Sequence, residues 1–567
     1  MNTKGFALEA ALFVLLLIAV LVAVAVTGVV TVTKTASLDY RNARVSYAAE
    51  AGADAIMAQL ENALQDGSLS DAELAAVVPP SIPGFNYDAI TVTRQGGVNV
   101  ETVTDGPFAG LYSLTQMLDI NSRVRDAHNN MSEVIVTAKA QAIPIFQFGI
   151  FFEKDLEVTN GPSMTFDGWI HSNGNIYMSS NNAWYRKAIT TPNQVIHNRK
   201  DKNAPLNGVW IADAYGVDNN LDFDSRTDPV PASFRLKSNN KFDNRLKTNA
   251  YGVDSLSVPL PPGMPARAVM EPRLVGDVLS VRNAKYAWKA DWYVELDMGD
   301  SNICAPALGI RDSSRVMPTT AECNTIFSLV PEAFYEGRQG QMADVFTIDM
   351  NQLLNWVGGD PARATQVFYV TFTNLGSAPD PSGDGVFPIV RLKNGAILGN
   401  PTAIATDRPL YIQGDYNTGL WQPSAVVGDA ITWLSNSWSD AAHSSSSGYG
   451  GGITTASNTT IITAILAGHS ATPWDWYDGG GNAPYGGGVE NYPRFLEKWS
   501  SRDSNYWGSL VSLSTSIYAT GAWGYGWYYK APRRNWVFDM RFEDPSNLPP
   551  GTPTVGNVIH TAFRPVY

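Results

Sequence analysis

The chain opens Met1-Asn2-Thr3-Lys4-Gly5-Phe6-Ala7-Leu8-Glu9, and from Ala10 to Thr33 no residue carries a charge. As a helix this run reaches about 36 Å, enough to cross a hydrocarbon core of about 30 Å. Lys4 precedes it, and Lys34, Arg41 and Arg44 follow. A secretory signal carries a longer basic region and a small-residue cleavage site behind its apolar run. Val32-Thr33-Lys34 offers no such site, so the segment is expected to stay on the mature protein. The helical pattern continues past Lys34. Leu38, Ala43, Val45, Ala48, Ala49, Ala53, Ile56, Met57, Leu60 and Leu64 recur at helical spacing, and no proline intervenes before Pro79. The reading is one rod over residues 6–66, about 90 Å long. It is apolar over 6–33 and amphipathic over 34–66. Within it, Val26-Thr27-Gly28-Val29-Val30-Thr31-Val32-Thr33 combines Gly with β-branched residues, both poor helix formers. This stretch is expected to unwind on assembly.

Glu9 sits at the lip of the apolar run, where an unpaired carboxylate in lipid is costly. A cut after Gly5 gives Phe6 a new α-amino group as a partner for it, in the same chain or a neighbouring one. On these residues the N-terminus resembles the type IV pilin family, whose Gly-Phe-x-x-x-Glu signal is cut after Gly by a prepilin peptidase that methylates the new N-terminal Phe. The resemblance implies a leader over 1–5, processing between Gly5 and Phe6, and Glu9 as the assembly partner of an adjacent subunit's N-terminal amine. The family places its Glu at the fifth mature position; here Glu9 is the fourth and Ala10 the fifth. Tyr47-Ala48-Ala49-Glu50-Ala51-Gly52 resembles the N-terminal domain of PilX-type minor pilins. The strings 168–174, 488–497 and 535–553 are similar to large bacterial proteins with a PilX-type start. That likeness spans most of the chain and implies no chemistry. A plain membrane anchor is the alternative reading of the opening segment.

Composition supports a large exported β protein. The 567 residues carry 40 Lys+Arg against 53 Asp+Glu, a net charge of −13, which argues against binding nucleic acid by neutralising phosphates. Charged residues make up 16%, against about 25% in typical domains. The 49 Gly and 34 Pro punctuate many short elements. After a turn zone over 67–82, the alternations Ile90–Thr93, Tyr112–Thr115 and Val134–Ala140 predict a small antiparallel sheet over 83–150 packed on the amphipathic half of the helix. From 151 to 400 a β-rich head with irregular loops is expected. From 401 to 567 a Trp-rich β head follows, with rungs such as 409–416, 425–434, 460–467 and 508–515. Stacked rungs of this kind predict a parallel β-solenoid-like head, with a β-sandwich as the alternative. Phe542 and Pro549-Pro550-Gly551 are expected to finish the head. The string Ala-Tyr-Gly-Val-Asp occurs at 214–218 and 250–254 and suggests two equivalent loops. The fold class is α+β.

Chemistry-bearing candidates are few. Cys304 and Cys323 are the only cysteines, and an oxidising compartment would join them. Asp218, Asn220, Asp222 and Asp224 place side-chain oxygens at alternate positions. This reads as a solvated acidic turn or as a structural Ca2+ site, although Phe223 stands where a calcium loop has Gly and Pro229 where it has Glu. The histidines 128, 171, 197, 443, 469 and 560 form no HExxH. His171 reads as a hydrogen-bonded turn residue. No G-x-S-x-G is present. The cluster Trp523, Tyr525, Trp527 and Tyr528 is a candidate binding surface, or else core filling.

The sequence therefore predicts a structural, non-enzymatic subunit with no catalytic residues, anchored in a bacterial inner membrane by its helix and then drawn into an extracellular type IV pilus-like filament. The size of the head favours a minor or tip subunit with an adhesive role. Expected partners are other pilin subunits, the prepilin peptidase, the inner membrane, and a surface glycan or protein ligand; nucleic acid is not one. No cofactor is expected beyond the structural Ca2+. A large minor pseudopilin of a type II secretion system is one alternative. A membrane-anchored glycan-binding protein or hydrolase is another, for which a carboxylate pair among Asp415, Asp429, Glu490 and Asp539 would be needed.

Overall fold

The computed structural model describes residues 3–64, 69–104, 106–258, 260–261, 263–298, 303–304, 318–360, 363–364, 366–373 and 387–566. The first helix, α1, runs unbroken over Thr3–Ala63; residues 65–68, where the expected rod ended, lie outside the described residues. The β-branched stretch is helical here. The hydroxyls of Thr27, Thr31, Thr33 and Thr35 donate to carbonyls four residues back, at 2.7, 2.8, 2.8 and 3.0 Å. Each polar group is thereby satisfied inside the helix, which suits an apolar surrounding.

The second half of α1 lies on an antiparallel neck sheet. The sheet comprises β1 (Phe85–Arg94), β2 (Asn99–Thr102), β3 (Tyr112–Asp126), β4 (Met131–Pro144) and the C-terminal strand Thr554–Val566, which pairs with β4. Ala53, Ile56, Leu60 and Leu64 are buried against Leu118, Ile120, Val136 and Ala138. Val45, Ala48 and Ala49 meet Val124 and Val134. Small residues on both surfaces bring the helix close. The closest approach is at Gly52, where a Cβ would stand 2.4 Å from Tyr87 Cε1 and 2.6 Å from Ser122 Oγ. The Tyr87 hydroxyl donates to the Ala48 carbonyl at 2.6 Å and holds that distance.

Beyond the neck the chain winds into a stack of parallel rungs. Ten strands form one continuous sheet. In spatial order they are Leu246–Lys247, Ile189–Thr190, Trp169–Ser172, Phe148–Phe152, Leu510–Thr515, Ala464–His469, Ser424–Gly428, Thr402–Thr406, Val367–Thr373 and Trp292–Asp297, every neighbour parallel. Shorter sheets close the other sides of each rung. This is the solenoid-like arrangement expected, and not a sandwich. The order is not the chain order. The chain enters at Phe148, in the middle of the stack, and winds to one end at Lys247. It then crosses to the far end at Trp292 and winds back until Leu510–Ser512 pair with Ile150–Phe152. Helix Pro231–Phe242 covers the first end, setting Phe234 and Phe242 against Phe223.

Several apolar runs read as single rungs turn a corner instead. The run 460–467 is two strands, Thr459–Ile462 and Ala464–His469, on different sides of the stack. The run 508–515 likewise straddles the end of Asp503–Gly508 and the start of Leu510–Thr515. Both flanks are buried, so the apolar run is continuous. Gly508 marks the corner, where a Cβ would stand 2.0 Å from the Thr463 carbonyl oxygen.

Three sequence-based expectations need correction. The boundary at 400 does not divide the head, because strands from both sides of it share the ten-stranded sheet. Phe542 lies in a short helical turn, Met540–Glu543, and the last strand leaves the head for the neck sheet, where β4 offers it a free edge. The two Ala-Tyr-Gly-Val-Asp strings are not equivalent. The first joins the antiparallel strands Asn207–Ala212 and Asp218–Asn220, and the second begins within the helical turn Asn249–Tyr251.

Replacing Gly by Ala in an open helix adds up to about 1 kcal/mol of stability. At position 52 the sign should invert. Gly52→Ala is expected to lower the thermal midpoint, with a loss of about 1–3 kcal/mol, measured by calorimetry on the full chain in detergent. An unchanged or raised midpoint would refute the close helix–sheet approach.

Candidate functional site

The apolar half of α1 packs against nothing in the chain. Residues 7–40 are exposed throughout, and the segment reaches a mean hydropathy of 3.1. Among the described residues it is the one helix long and apolar enough to cross a membrane. An apolar surface of this size does not stay in water, so lipid or other helices must cover it. Gly5 and Phe6 lie in the helical backbone of α1, and the Phe6 side chain lies outside the described residues. Glu9 is exposed beside Leu8, Leu12, Phe13 and Leu16, which together line a shallow dent.

The acidic string is parted among separate partners. Asp218 pairs with Arg186, and Asp222 with Lys241 at 2.6 Å. Asn220 Nδ2 donates to the Asn207 carbonyl at 2.5 Å. Asp224 accepts from the backbone amides of His197, Arg226 and Thr227. Among the described residues no group of three or more His, Cys, Asp or Glu is gathered that could hold a metal ion. Cys304 and Cys323 do form the expected disulfide. His171 is fully buried between Phe108, Phe148 and Phe151, with its ring nitrogens 2.9 Å from Thr190 Oγ1 and Asn173 Oδ1; burial lowers its pKa to about 4.

The aromatic cluster divides. Tyr528 is buried in the head core, so it is no part of a surface. Its hydroxyl donates to the Ala522 carbonyl. Trp523 is half-buried, donating Nε1 to the Tyr529 hydroxyl at 3.0 Å. Tyr525 and Trp527 face outward, 58% and 62% exposed. Trp527 leans over Gly450, whose backbone amide donates to the Trp527 carbonyl at 2.7 Å. Two exposed rings thus stand on a loop held by hydrogen bonds to Ala522, Tyr529 and Gly450. Four of the eight other tryptophans of this third, Trp433, Trp438, Trp499 and Trp536, fill the core. Trp433 is the centre of one group, with Trp536, Phe495 and Tyr506 at 5.4, 5.7 and 5.3 Å.

The four carboxylates weighed for hydrolysis are held by unrelated partners. Asp415 accepts from Thr460 N. Glu490 takes the hydroxyls of Thr159 and Tyr485. Asp539 grips Arg541 and Trp421 Nε1. Asp429 accepts from Arg267 Nη1 at 2.6 Å and from the amides of Ile517, Tyr518 and Ala519. Its carboxylate therefore ties the strap 516–519 and the outer segment around Arg267 to the stack. Nothing local in the sequence signals this clamp, because its partners stand up to 162 residues away.

Buried carboxylates recur through the head. Burial raises Glu157 to about 7 against its hydrogen bonds from Thr472. Burial also raises Glu497 from 4.5 to about 7, although it accepts from Ser435 N and Ser435 Oγ, both at 2.7 Å. A raised carboxyl contributes stability that is full below about pH 4.5 and is lost as pH climbs through about 7. Gln at 497 keeps both contacts, its oxygen to Ser435 N and its amide to the hydroxyl. Glu497→Gln is therefore expected to leave the thermal midpoint unchanged near pH 5 and to raise it at pH 8.5, a gain of about 1–3 kcal/mol. Equal shifts at both pH values would exclude a raised Glu497.

No protein-family model matches the chain, and no curated protein matches it. Among solved structures, the crystal structure of the competence-associated pilin ComZ from Thermus thermophilus aligns over 93% of this chain and 97% of its own, at 10% identity and a TM-score of 0.30. A likeness at that score carries no argument.

Proposed function

We propose that the chain is a structural subunit of a type IV pilus-like extracellular filament, a minor or tip component of PilX type with an adhesive head. The observation that carries this reading is α1: one 61-residue helix, bare and apolar over its first half and locked to the neck over its second. Such a helix holds a subunit in a membrane first and among neighbouring helices afterwards, while the neck keeps the head fixed to it. Gly5 and Phe6 carry the processing step and Glu9 the pairing with a neighbour's amine. The stretch 26–33 supplies the segment that loosens on assembly. The disulfide fits an oxidising space outside the cytoplasm. The size of the head supports a minor or tip position, because a full lattice of such heads would crowd. The chain carries no catalytic role in this reading.

N-terminal sequencing of material sheared from cells tests the assembly reading. A start at methylated Phe6 in the fibre fraction is expected. An intact Met1 found only in non-filamentous membranes would leave a plain anchor.

The adhesive role rests on Tyr525 and Trp527. Large exposed rings on a pinned loop lose little entropy on binding. The double change Tyr525→Ala, Trp527→Ala is expected to abolish attachment to glycan or protein arrays, a loss of tenfold or more, with the thermal midpoint unchanged. Undiminished attachment would remove this face from the adhesive role.

A further inference from the structure

Where the neck meets the first end of the stack, the two enclose a hollow of about 530 Å³, a volume within the range that holds small ligands. Gly110 faces it from the neck. Trp169, Lys187 and Arg245 face it from the head, at or just before the starts of the strands Trp169–Ser172, Ile189–Thr190 and Leu246–Lys247. Lys247 joins them, so three cations line the hollow against two carboxylates, Asp243 and Glu543, in a chain whose net charge is −13.

Little of that positive charge is matched. Among the described residues Lys247 has no carboxylate partner; its ammonium reaches the carbonyls of Gly106 and Pro107, both at 3.5 Å. Burial without a counter-charge pushes its pKa below the usual lysine range, a penalty that an anion beside it would offset. Arg245 spends Nη1 on the carbonyls of Arg186 and Ala212, at 2.8 and 3.3 Å, and its Nε and Nη2 have no partner among the described residues. Lys187 stands 3.9 Å from Glu543, beyond hydrogen-bond reach. Asp243 gives one oxygen to the Ala214 amide at 3.0 Å, which leaves the other. The apolar wall is the part-exposed ring of Trp169. Gly110 stands over it at a φ of 107°, and a Cβ there would lie 3.1 Å from Cζ2 and 3.8 Å from Cη2. A larger residue at 110 would cover the ring; glycine leaves it bare.

These groups together name a class of ligand. A metal cation is repelled by three fixed positive charges. A bare inorganic anion would use the cations and neither the ring nor the carboxylates. A sugar that carries a carboxylate uses all of them. We propose that the hollow between neck and head binds an acidic sugar, a hexuronate or sialate residue, with its carboxylate among Lys187, Arg245 and Lys247, its hydroxyls donating to Glu543 and Asp243, and its apolar ring face against Trp169. Charge-assisted hydrogen bonds hold the carboxylate, and the indole covers apolar C–H surface. The site shares no lining residue with the exposed pair Tyr525 and Trp527, and its test needs no filament.

The full chain, purified in a sugar-free detergent, is titrated by ligand-observed NMR with methyl β-glucuronide, methyl α-galacturonide and the methyl glycoside of N-acetylneuraminic acid. Methyl β-glucoside and inorganic phosphate are run alongside. At least one acidic glycoside is expected to bind tenfold or more tightly than the glucoside or phosphate. Lys247→Met removes the charge and keeps most of the stem; it should cut that affinity at least tenfold with the thermal midpoint unchanged. The same loss from Lys187→Met, whose side chain is 40% exposed in the native chain, guards against a folding fault at 247. The double change Tyr525→Ala, Trp527→Ala should leave the affinity unaltered. No binding of any acidic glycoside would overturn the proposal. So would equal binding of the glucoside, which would make the hollow indifferent to charge, and phosphate as tight as the best glycoside, which would leave a plain anion site. Full affinity in either folded lysine variant would place the sugar elsewhere, and loss of affinity in the double variant would assign it to the exposed rings; each of these also overturns it.

Discussion

The pairing of Leu510, Val511 and Ser512 with Ile150, Phe151 and Phe152 is the joint on which the head depends. It joins two half-stacks made about 360 residues apart in the chain. Before it forms, each half ends in an open parallel edge at the centre of the molecule, a surface that invites pairing with other chains. Once it forms, both edges vanish into one ten-stranded sheet. Loop-closure cost grows only slowly with length, by about 0.6 kcal/mol per doubling, so the joint is affordable at equilibrium. Its cost is kinetic, because non-local parallel pairing forms late. Ser509 Oγ, which donates to the Phe148 carbonyl at 2.5 Å, secures the joint at its first residue.

The helix, the small sheet and the rung character of the head were legible in the sequence because each rests on local periodicity. The apolar run without charge, the i, i+3, i+4 recurrence to Leu64 and the alternation over 134–140 all translate directly into burial. The disulfide was legible because only two cysteines exist. What was not legible depends on distant partners. A continuous apolar run gives no sign of a corner, since both flanks of the corner are buried; hence the split of 460–467. The re-entry of the chain at the far end is invisible to any window, as is the return of Thr554–Val566 to β4. The cluster 523–529 shows the same limit. Its ring density marked it for attention, but whether a ring faces out is decided by Gly450, Asn491 and Ala522.

Low surface charge and buried charge belong together in this head. With only 16% charged residues, many of those present are spent inside, where hydrogen bonds must repay desolvation. Asp429 does so with three backbone amides and one guanidinium, and so works as a rivet between layers. Asp277 does so with Lys285 and Trp288 and sets the shape of the segment 271–289. Glu497 and Glu157 are repaid less fully, which is why burial still raises them. A buried carboxylate is thus a clamp where a cation is among its donors and a pH-sensitive element where only an amide and a hydroxyl meet it.

Entry at mid-stack also decides how force would pass through the molecule. Two covalent routes join neck and head: β4 running into Phe148, and the segment after Phe538 running into the C-terminal strand. Both leave from the same central region, and their strands are paired to each other along the neck, from Thr554 opposite Pro144 to Val566 opposite Glu133. A load on α1 reaches the sheet through the buried seam from Val45 to Leu64. It then divides between two strands that leave for the head at the same end and are hydrogen-bonded to each other along their length. A head attached at one end of its stack would peel rung by rung. Attached at the centre, it meets the same pull with the joint between its halves already flanked by rungs on both sides.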